Sequence, residues 1–173
     1  EQSFSEYIKF QIDGLDMIRD TLPNNKSLIG FVGGPYTLYQ FAQRHPQSNS
    51  NLLDDFLPVI EKILENNIDL QFSVDLDLLM IFDTEAQHLS LEQFDQNVKP
   101  FIEKIAFKYP GKIGYFTKDV DDEKFKSIKS INGLKLTVVG SNQDIFSKLL
   151  GTDLSLQGNF PNEYLAAESI KDF

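Results

Sequence analysis

The sequence has no cysteine and no tryptophan, and only two histidines and two arginines among its 173 residues. Without cysteine, the chain forms no disulfide bond, offers no thiolate nucleophile and cannot build a zinc site from thiolate ligands. No apolar run approaches the roughly 18 residues that a membrane-spanning helix needs, so we expect no membrane partner. These absences exclude several large classes of enzyme and membrane protein.

Positive charge is also scarce. The chain carries 16 Lys and Arg against 26 Asp and Glu, a formal net charge of -10, and its only arginines are Arg19 and Arg44. Nucleic-acid binding depends on neutralising phosphates with Lys and Arg, so we expect no nucleic-acid partner. The same negative field opposes a strongly anionic ligand unless a local basic pocket overrides it.

The two histidines, His45 and His88, give little support to a metal site. Glu85 and His88 stand three residues apart, as in one half of a di-iron carboxylate motif, but the sequence contains no second copy of that motif. The acidic run 119–123 lacks the glycine and the closing glutamate of a calcium loop, so it predicts the acidic first turn of a helix. We therefore expect no metal site.

Five short apolar runs alternate with amphipathic helical patterns along the chain. The most apolar run is 78–82, which is followed directly by Asp83 and Thr84. The predicted strands begin near residues 28, 78, 112, 134 and 154. This βα alternation predicts a parallel sheet or part of a barrel. A chain of this length fits one α/β domain, residues 1–173.

Apolar residues spaced three and four apart predict the helices between these strands. Ser90 and Gln93 form a capping box at the start of one helix. Gly33-Gly34-Pro35 precedes another helix and weakly resembles an anion-binding turn, although a tight βα turn is the favoured interpretation. The predicted helices cover residues 4–21, 35–44, 52–72, 91–109, 122–130, 142–149 and 161–170.

Polar residues follow the predicted strands at the points where the strands end. In α/β folds, ligands bind at the edge formed by the carboxyl ends of parallel strands. The alternative is that these side chains cap helices and tie loops, and the pattern alone favours that alternative. The residues concerned are Asp83, Thr84, Thr117, Lys118, Gln157 and Asn159.

Four motifs at these strand ends resemble the uroporphyrinogen decarboxylase family, in the family's order and close to its spacing. They are 28–38 (LIGFVGGPYTL), 80–84 (MIFDT), 116–118 (FTK) and 156–159 (LQGN). The resemblance implies a partial TIM-barrel-like (βα) domain of about five mostly parallel strands, equivalent to the family's strands 3 to 7. It also implies a lyase of haem biosynthesis, which decarboxylates uroporphyrinogen without a cofactor, and a tetrapyrrole or other small-molecule partner.

The resemblance places substrate-binding positions at Asp83, Thr84, Phe41, Lys118, Gln157 and Asn159. Phe41 stands where the family has a tyrosine, and residues 85–87 (EAQ) replace the family's aromatic or histidine, small residue and glycine. The family's catalytic aspartate would precede Glu1, so no catalytic residue is assigned. We expect a degenerate or incomplete relative with little decarboxylase activity alone.

Two other functions are open on the sequence alone. Five strands cannot close an eight-stranded barrel, so the domain could be a non-catalytic assembly module that forms homo-oligomers through open sheet edges, and the family is commonly dimeric. Alternatively, Glu85 and Gln87 could favour a different small ligand, neutral or cationic. Because no signal segment precedes the first helix, we expect a cytoplasmic protein. The chain begins at Glu1 and not Met, as a trimmed piece of a longer protein would.

Overall fold

The computed structural model describes residues 4–45, 53–139 and 153–158, and it shows an α/β fold in these ranges. The strands are β1 (Ile29–Gly33), β2 (Leu78–Phe82), β3 (Ile113–Phe116), β4 (Leu134–Val138) and β5 (Ser155–Gln157). The helices are α1 (Phe4–Thr21), α2 (Pro35–Gln43), α3 (Leu53–Phe72), α4 (Leu91–Asn97), α5 (Lys99–Lys108) and α6 (Asp122–Lys129), with a 3₁₀ helix at Thr84–His88.

The five strands form one sheet in chain order, β1-β2-β3-β4-β5, and every neighbouring pair is parallel. Parallel neighbours must be joined by crossovers, and right-handed crossovers place their helices on one side of the sheet. A single layer of this kind is an arc of a βα barrel, so the predicted fold class is confirmed. The single-domain assignment stays a prediction.

The two faces of the sheet have different surroundings. Side chains alternate between the faces of a strand, and the face that includes Ile81 and Tyr115 is fully buried. Helices α3, α4 and α5 contribute Ile68, Phe94 and Ile102 to that core. Burying one such side chain contributes roughly 1.5–3 kcal/mol, so this layer between sheet and helices carries most of the apolar stabilisation.

The opposite face remains open and is lined by aromatic rings. Phe31 is 69% exposed and Phe82 is 41% exposed. The two rings meet edge to face with their centroids 6.2 Å apart, and Phe116 continues the row at 5.6 Å from Phe82. The residue pairs Phe31–Met80 and Phe82–Phe116 are in register across the strands. We call Phe31, Phe82 and Phe116 the aromatic row.

Most predicted elements lie where the sequence places them, but the helix predicted over 91–109 is wrong as one unit. It is two helices, α4 and α5, which meet at Val98 (φ −120°, ψ −50°). Pro100 has no N–H to donate to the carbonyl four residues back, and its ring clashes with that carbonyl, so the helix breaks and a new one starts with Pro100 in its first turn. The predicted helices 142–149 and 161–170 lie outside the described residues.

Two local predictions at helix starts are confirmed. The Ser90 Oγ accepts from the Gln93 N–H (3.2 Å), and Gln93 Oε1 accepts from the Ser90 N–H (3.0 Å), which completes the capping box. Asp121 caps α6 by accepting from the Lys124 N–H (2.8 Å), ahead of an acidic first turn. Within the described ranges, every helix is too short or too polar to cross a membrane.

Candidate functional site

The carboxyl ends of the strands gather the predicted site residues at one edge of the sheet. All the strands are parallel, so residues that follow them emerge on the same side. The Asp83 N–H donates to the Phe116 carbonyl (2.8 Å), which holds the end of β2 beside the end of β3. The residues thus brought to this edge are Asp83, Thr84, Lys118 and Gln157.

Asp83 is fully buried on the helix side of the sheet. Its Oδ1 accepts a hydrogen bond of 2.7 Å from the backbone N–H of Thr37, the third residue of α2. The first four N–H groups of a helix have no partner within the helix, and a negative charge is favourable near them. The carboxylate after β2 therefore caps the helix that follows β1 and joins the two βα units.

Gly34 makes this contact sterically feasible. A Cβ on Gly34 would lie 2.2 Å from the Cβ of Asp83, closer than two carbon atoms can approach. The Gly34 N–H also donates to the Phe82 carbonyl (2.7 Å), which pins the turn to the end of β2. The Gly-Gly-Pro turn thus does lie at an anion site, but the anion is the chain's own Asp83.

Burial raises the pKa of Asp83 to about 6, although hydrogen bonds from the Thr37 hydroxyl and the N–H groups of Thr37 and Tyr36 partly oppose the shift. Burial, together with the Asp83 charge, raises the pKa of Tyr115 well above its ordinary value. Asp83 Oδ2, the Tyr115 hydroxyl and Thr117 Oγ1 are buried without a well-formed hydrogen bond in the part of the chain described, although the Tyr115 hydroxyl lies near enough to the Asp83 carboxylate to interact with it. This cluster can hold a proton near neutral pH, but it lies away from solvent.

The segment Thr84–Leu89, which we call the rim segment, follows Asp83 and is tied down on two sides. On the α2 side, the Glu85 N–H donates to Thr37 Oγ1 (3.0 Å), and the Glu85 carboxylate pairs with Arg44 (3.0 Å). On the α6 side, the ammonium of Lys124 donates to carbonyl oxygens of the segment. The sequence analysis missed both the 3₁₀ helix and Lys124.

A signal for Lys124 was present in the sequence. Lys124, Ile128 and Ile131 are spaced i, i+4 and i+7, which places the lysine on the apolar face of α6. A lysine at such a position is rarely buried unless its charge finds partners. The 3₁₀ helix has no comparable signal, because five residues are too few to show a period.

The other predicted site residues differ in exposure. Thr84 is half-buried at the start of the rim segment, while Lys118 and Gln157 are exposed. Phe41 on α2 is 56% exposed, and the Arg44 guanidinium lies 5.6 Å from its ring centroid. Asn159 lies outside the described residues. The substrate-binding roles of these residues stay predictions.

Most of the cationic side chains described at this edge have partners within the protein. Arg44 pairs with Glu85, and Lys124 is 3% exposed and bonded to backbone carbonyls. Lys118 is the edge's exposed lysine, and it has no ion-pair partner among residues 4–45, 53–139 and 153–158. In the same ranges, no group of three or more His, Cys, Asp or Glu side chains is placed to hold a metal ion.

A layer of parallel strands in chain order, backed by helices and with polar residues at its carboxyl edge, defines a TIM-barrel-type protein. The solved structure of a methyltransferase from Methanosarcina mazei shares this fold with a TM-score of 0.68, at 16% sequence identity. The match covers 87% of this chain and 48% of the methyltransferase chain. At that identity, the likeness shows the fold alone.

The family model described as uroporphyrinogen decarboxylase (URO-D) matches residues 1–171, so the chain belongs to the URO-D family. Uroporphyrinogen decarboxylase from Wolbachia sp. subsp. Brugia malayi (strain TRS) is 29% identical, over 93% of this chain and 51% of the relative. The enzyme of that name from Campylobacter jejuni (strain RM1221) is 25% identical, over 90% and 47%. The chain thus spans about half the length of these curated relatives, and the resemblance seen in the sequence is confirmed.

The raised pKa of Asp83 predicts an unusual dependence of stability on pH. The folded state holds this proton more tightly than the unfolded chain does, so stability falls as the pH rises from about 4 to about 6. A shift from 3.8 to about 6 corresponds to about 3 kcal/mol, as an order of magnitude. In Asp83→Asn, the amide oxygen can still cap α2 and no charge is buried. Urea unfolding from pH 4 to pH 7 should show the wild type losing about 3 kcal/mol relative to Asp83→Asn.

Asp77→Asn is the matched control, because its carboxylate has the opposite shift. The Leu28 N–H (2.7 Å) and Arg19 (3.1 Å) bind Asp77 and lower its pKa. The stabilisation by Asp77 is therefore present above its ordinary pKa and is lost on acidification. If the wild type and Asp83→Asn have parallel stability curves over this pH range, Asp83 is not the buried, proton-holding cap described here.

Proposed function

We propose that this URO-D family chain binds a tetrapyrrole at the carboxyl edge of its sheet and, by itself, decarboxylates uroporphyrinogen little or not at all. One observation carries the low-turnover part of the proposal. Arg44 is exposed but paired with Glu85, and Lys124 is buried against backbone carbonyls, which leaves Lys118 as the cation without an ion-pair partner at the described edge. An octa-carboxylate substrate needs several cations, preferably arginines, to hold it.

The carboxylates described at the edge also argue against decarboxylation. Decarboxylation of this substrate class requires a carboxylate that faces the pyrrole N–H groups and stabilises positive charge as carbon dioxide leaves. Asp83 is buried against α2, and Glu85 is paired with Arg44. Neither carboxylate is free to take that role in the conformation described.

The apolar surroundings of the edge suit a flat, largely apolar ring system. The Phe41 ring is 56% exposed, and the aromatic row lies on the open face of the same sheet. Ligand sites are mostly apolar and aromatic, with a few placed polar groups that fix orientation. Thr84 and Lys118 supply such polar groups in this proposal.

Titration of the chain with uroporphyrin at low salt, followed by porphyrin fluorescence, tests the binding part. We expect saturable micromolar binding that Lys118→Glu weakens about 5- to 30-fold, or roughly 1–2 kcal/mol, because an attractive charge becomes repulsive. Lys129→Glu is the control, because it changes the net charge by the same amount. Lys129 lies at the end of α6, where the helix has returned toward the opposite edge of the sheet. This substitution should therefore leave the affinity for uroporphyrin within about twofold of the wild type.

Two results would count against the proposal. Equal weakening by both substitutions, or no saturable binding at all, would show that the edge does not recognise the porphyrin. Decarboxylated product from uroporphyrinogen in an anaerobic assay of the 173-residue chain would overturn the low-turnover part.

Assembly with a second copy is the second candidate function, and the open face of the sheet favours it. Ile29 (52% exposed) and Phe31 (69% exposed) lie on β1, the edge strand of the sheet. On its outer side β1 has no strand neighbour among the described residues, although the Gln71 side chain donates to the Phe31 carbonyl (3.1 Å). Exposed apolar side chains on such an edge strand promote association. A two-fold pair of chains would bury both aromatic rows at once.

Sedimentation velocity over a range of concentrations distinguishes this candidate. We expect a concentration-dependent dimer in the wild type that Phe31→Glu weakens at least tenfold, since a charge would be buried in an apolar contact. Phe107→Glu is the control, because Phe107 on α5 is 85% exposed but lies on a helix of the opposite face. A wild type that stays monomeric at high concentration, or equal dissociation by both variants, would contradict assembly through this face.

A further inference from the structure

Lys124 places a positive charge inside the protein, and no carboxylate among the residues that the structure describes forms an ion pair with it. Its ammonium donates to the carbonyl oxygens of Ala86 (3.3 Å), Gln87 (3.1 Å) and Leu89 (2.8 Å). An ammonium has three N–H donors, and each of them finds one acceptor here. Because a buried charge is costly unless it is well hydrogen-bonded, this arrangement ties the charge to one conformation of those carbonyls.

The carbonyls converge because the chain turns sharply there. Ala86, Gln87 and Leu89 lie in and just after the last turn of the 3₁₀ helix, where carbonyls lack partners within the helix. Among the described residues, the backbone donor found at this end is the Leu89 N–H, at 3.2 Å from the Ala86 oxygen. The rim segment therefore depends on the lysine for most of its polar contacts on the α6 side.

The two ends of the rim segment are held by different elements. Thr37 on α2 holds the Glu85 N–H, whereas Lys124 on α6 holds the carbonyls from Ala86 onward. Thr84 lies at the start of this doubly held segment. Loss of either contact would release the segment on one side while the strands beneath stay paired.

We propose that Lys124 is a positioning residue, a built-in cation that fixes the rim segment Thr84–Leu89 and thereby presents Thr84 at the edge of the sheet. The consequence for ligand binding rests on the proposed function. The fixing of the segment does not rest on it, because it follows from the three carbonyl contacts alone. Burial lowers the pKa of Lys124, and the nearby negative charge of Asp121 partly offsets that shift.

Hydrogen exchange on two variants at position 124 tests the positioning role. Lys124→Met keeps the apolar stem and removes all three donors. Amide protection at Ala86 and Leu89 should fall at least tenfold in this variant, while β2 and β3 keep their protection. Lys126→Met is the control, because Lys126 lies on the same helix but is exposed and paired with Glu123 (2.7 Å). It should leave exchange at the rim segment unchanged.

Chemical rescue separates the ammonium from general packing. In Lys124→Ala, the missing part of the side chain corresponds to propylammonium, which has the same three N–H donors. Millimolar propylammonium should restore rim-segment protection, or refolding if the variant unfolds, at least fivefold better than tetramethylammonium, which has the charge but no donor. Porphyrin titration of Lys124→Met then reports separately on the proposed function, with weaker binding expected.

Three results would overturn the inference. The first is that amide protection of the rim segment persists in Lys124→Met. The second is that it falls only together with the protection of the whole chain. The third is that propylammonium and tetramethylammonium restore protection of Lys124→Ala equally. If the exchange and rescue results appear as expected but neither wild type nor variant binds porphyrin, the proposed function fails and the positioning role stands.

Discussion

The hydrogen bond between Asp83 and the first turn of α2 is the contact on which the edge of this sheet depends. It joins the end of one strand to the helix that follows its neighbour, so two βα units are fixed by one carboxylate. The contact requires Gly34, since no side chain fits between α2 and Asp83. It also buries a charge, and the raised pKa of Asp83 measures how unfavourable that burial is.

Charged side chains along the rim segment are also paired within the protein. Arg44 pairs with the Glu85 carboxylate, and the carbonyl oxygens of Ala86, Gln87 and Leu89 accept hydrogen bonds from the Lys124 ammonium. Arg44 and Lys124 therefore both have partners within the protein, a side-chain carboxylate for Arg44 and backbone carbonyls for Lys124. A family site built to bind a polyanion would keep such cations free. This pairing is the reason for proposing that the described edge binds a porphyrin ring but decarboxylates its substrate little.

Much of the fold could be predicted from the sequence because its strands and long helices have strong periods. The apolar run 78–82 and the amphipathic pattern of α3 each define their element alone. The break at Val98 was missed because apolar spacing continues across it, although Pro100 marks the site. The edge was harder: the sequence placed Asp83 there correctly, but only the three-dimensional contact shows that it faces α2 and is shielded from a ligand. Lys124 could have been found from its position on an apolar helical face.

The protonation of Asp83 is the most direct test of this account. The side-chain carbon resonance of its carboxyl group, assigned by its absence in Asp83→Asn, can be followed by ¹³C NMR as the pH changes. A buried carboxyl held at the start of α2 should titrate with a midpoint of about 6. A midpoint near the ordinary value of 3.8 would place the group in water and contradict the cap on which the rest of the edge is built.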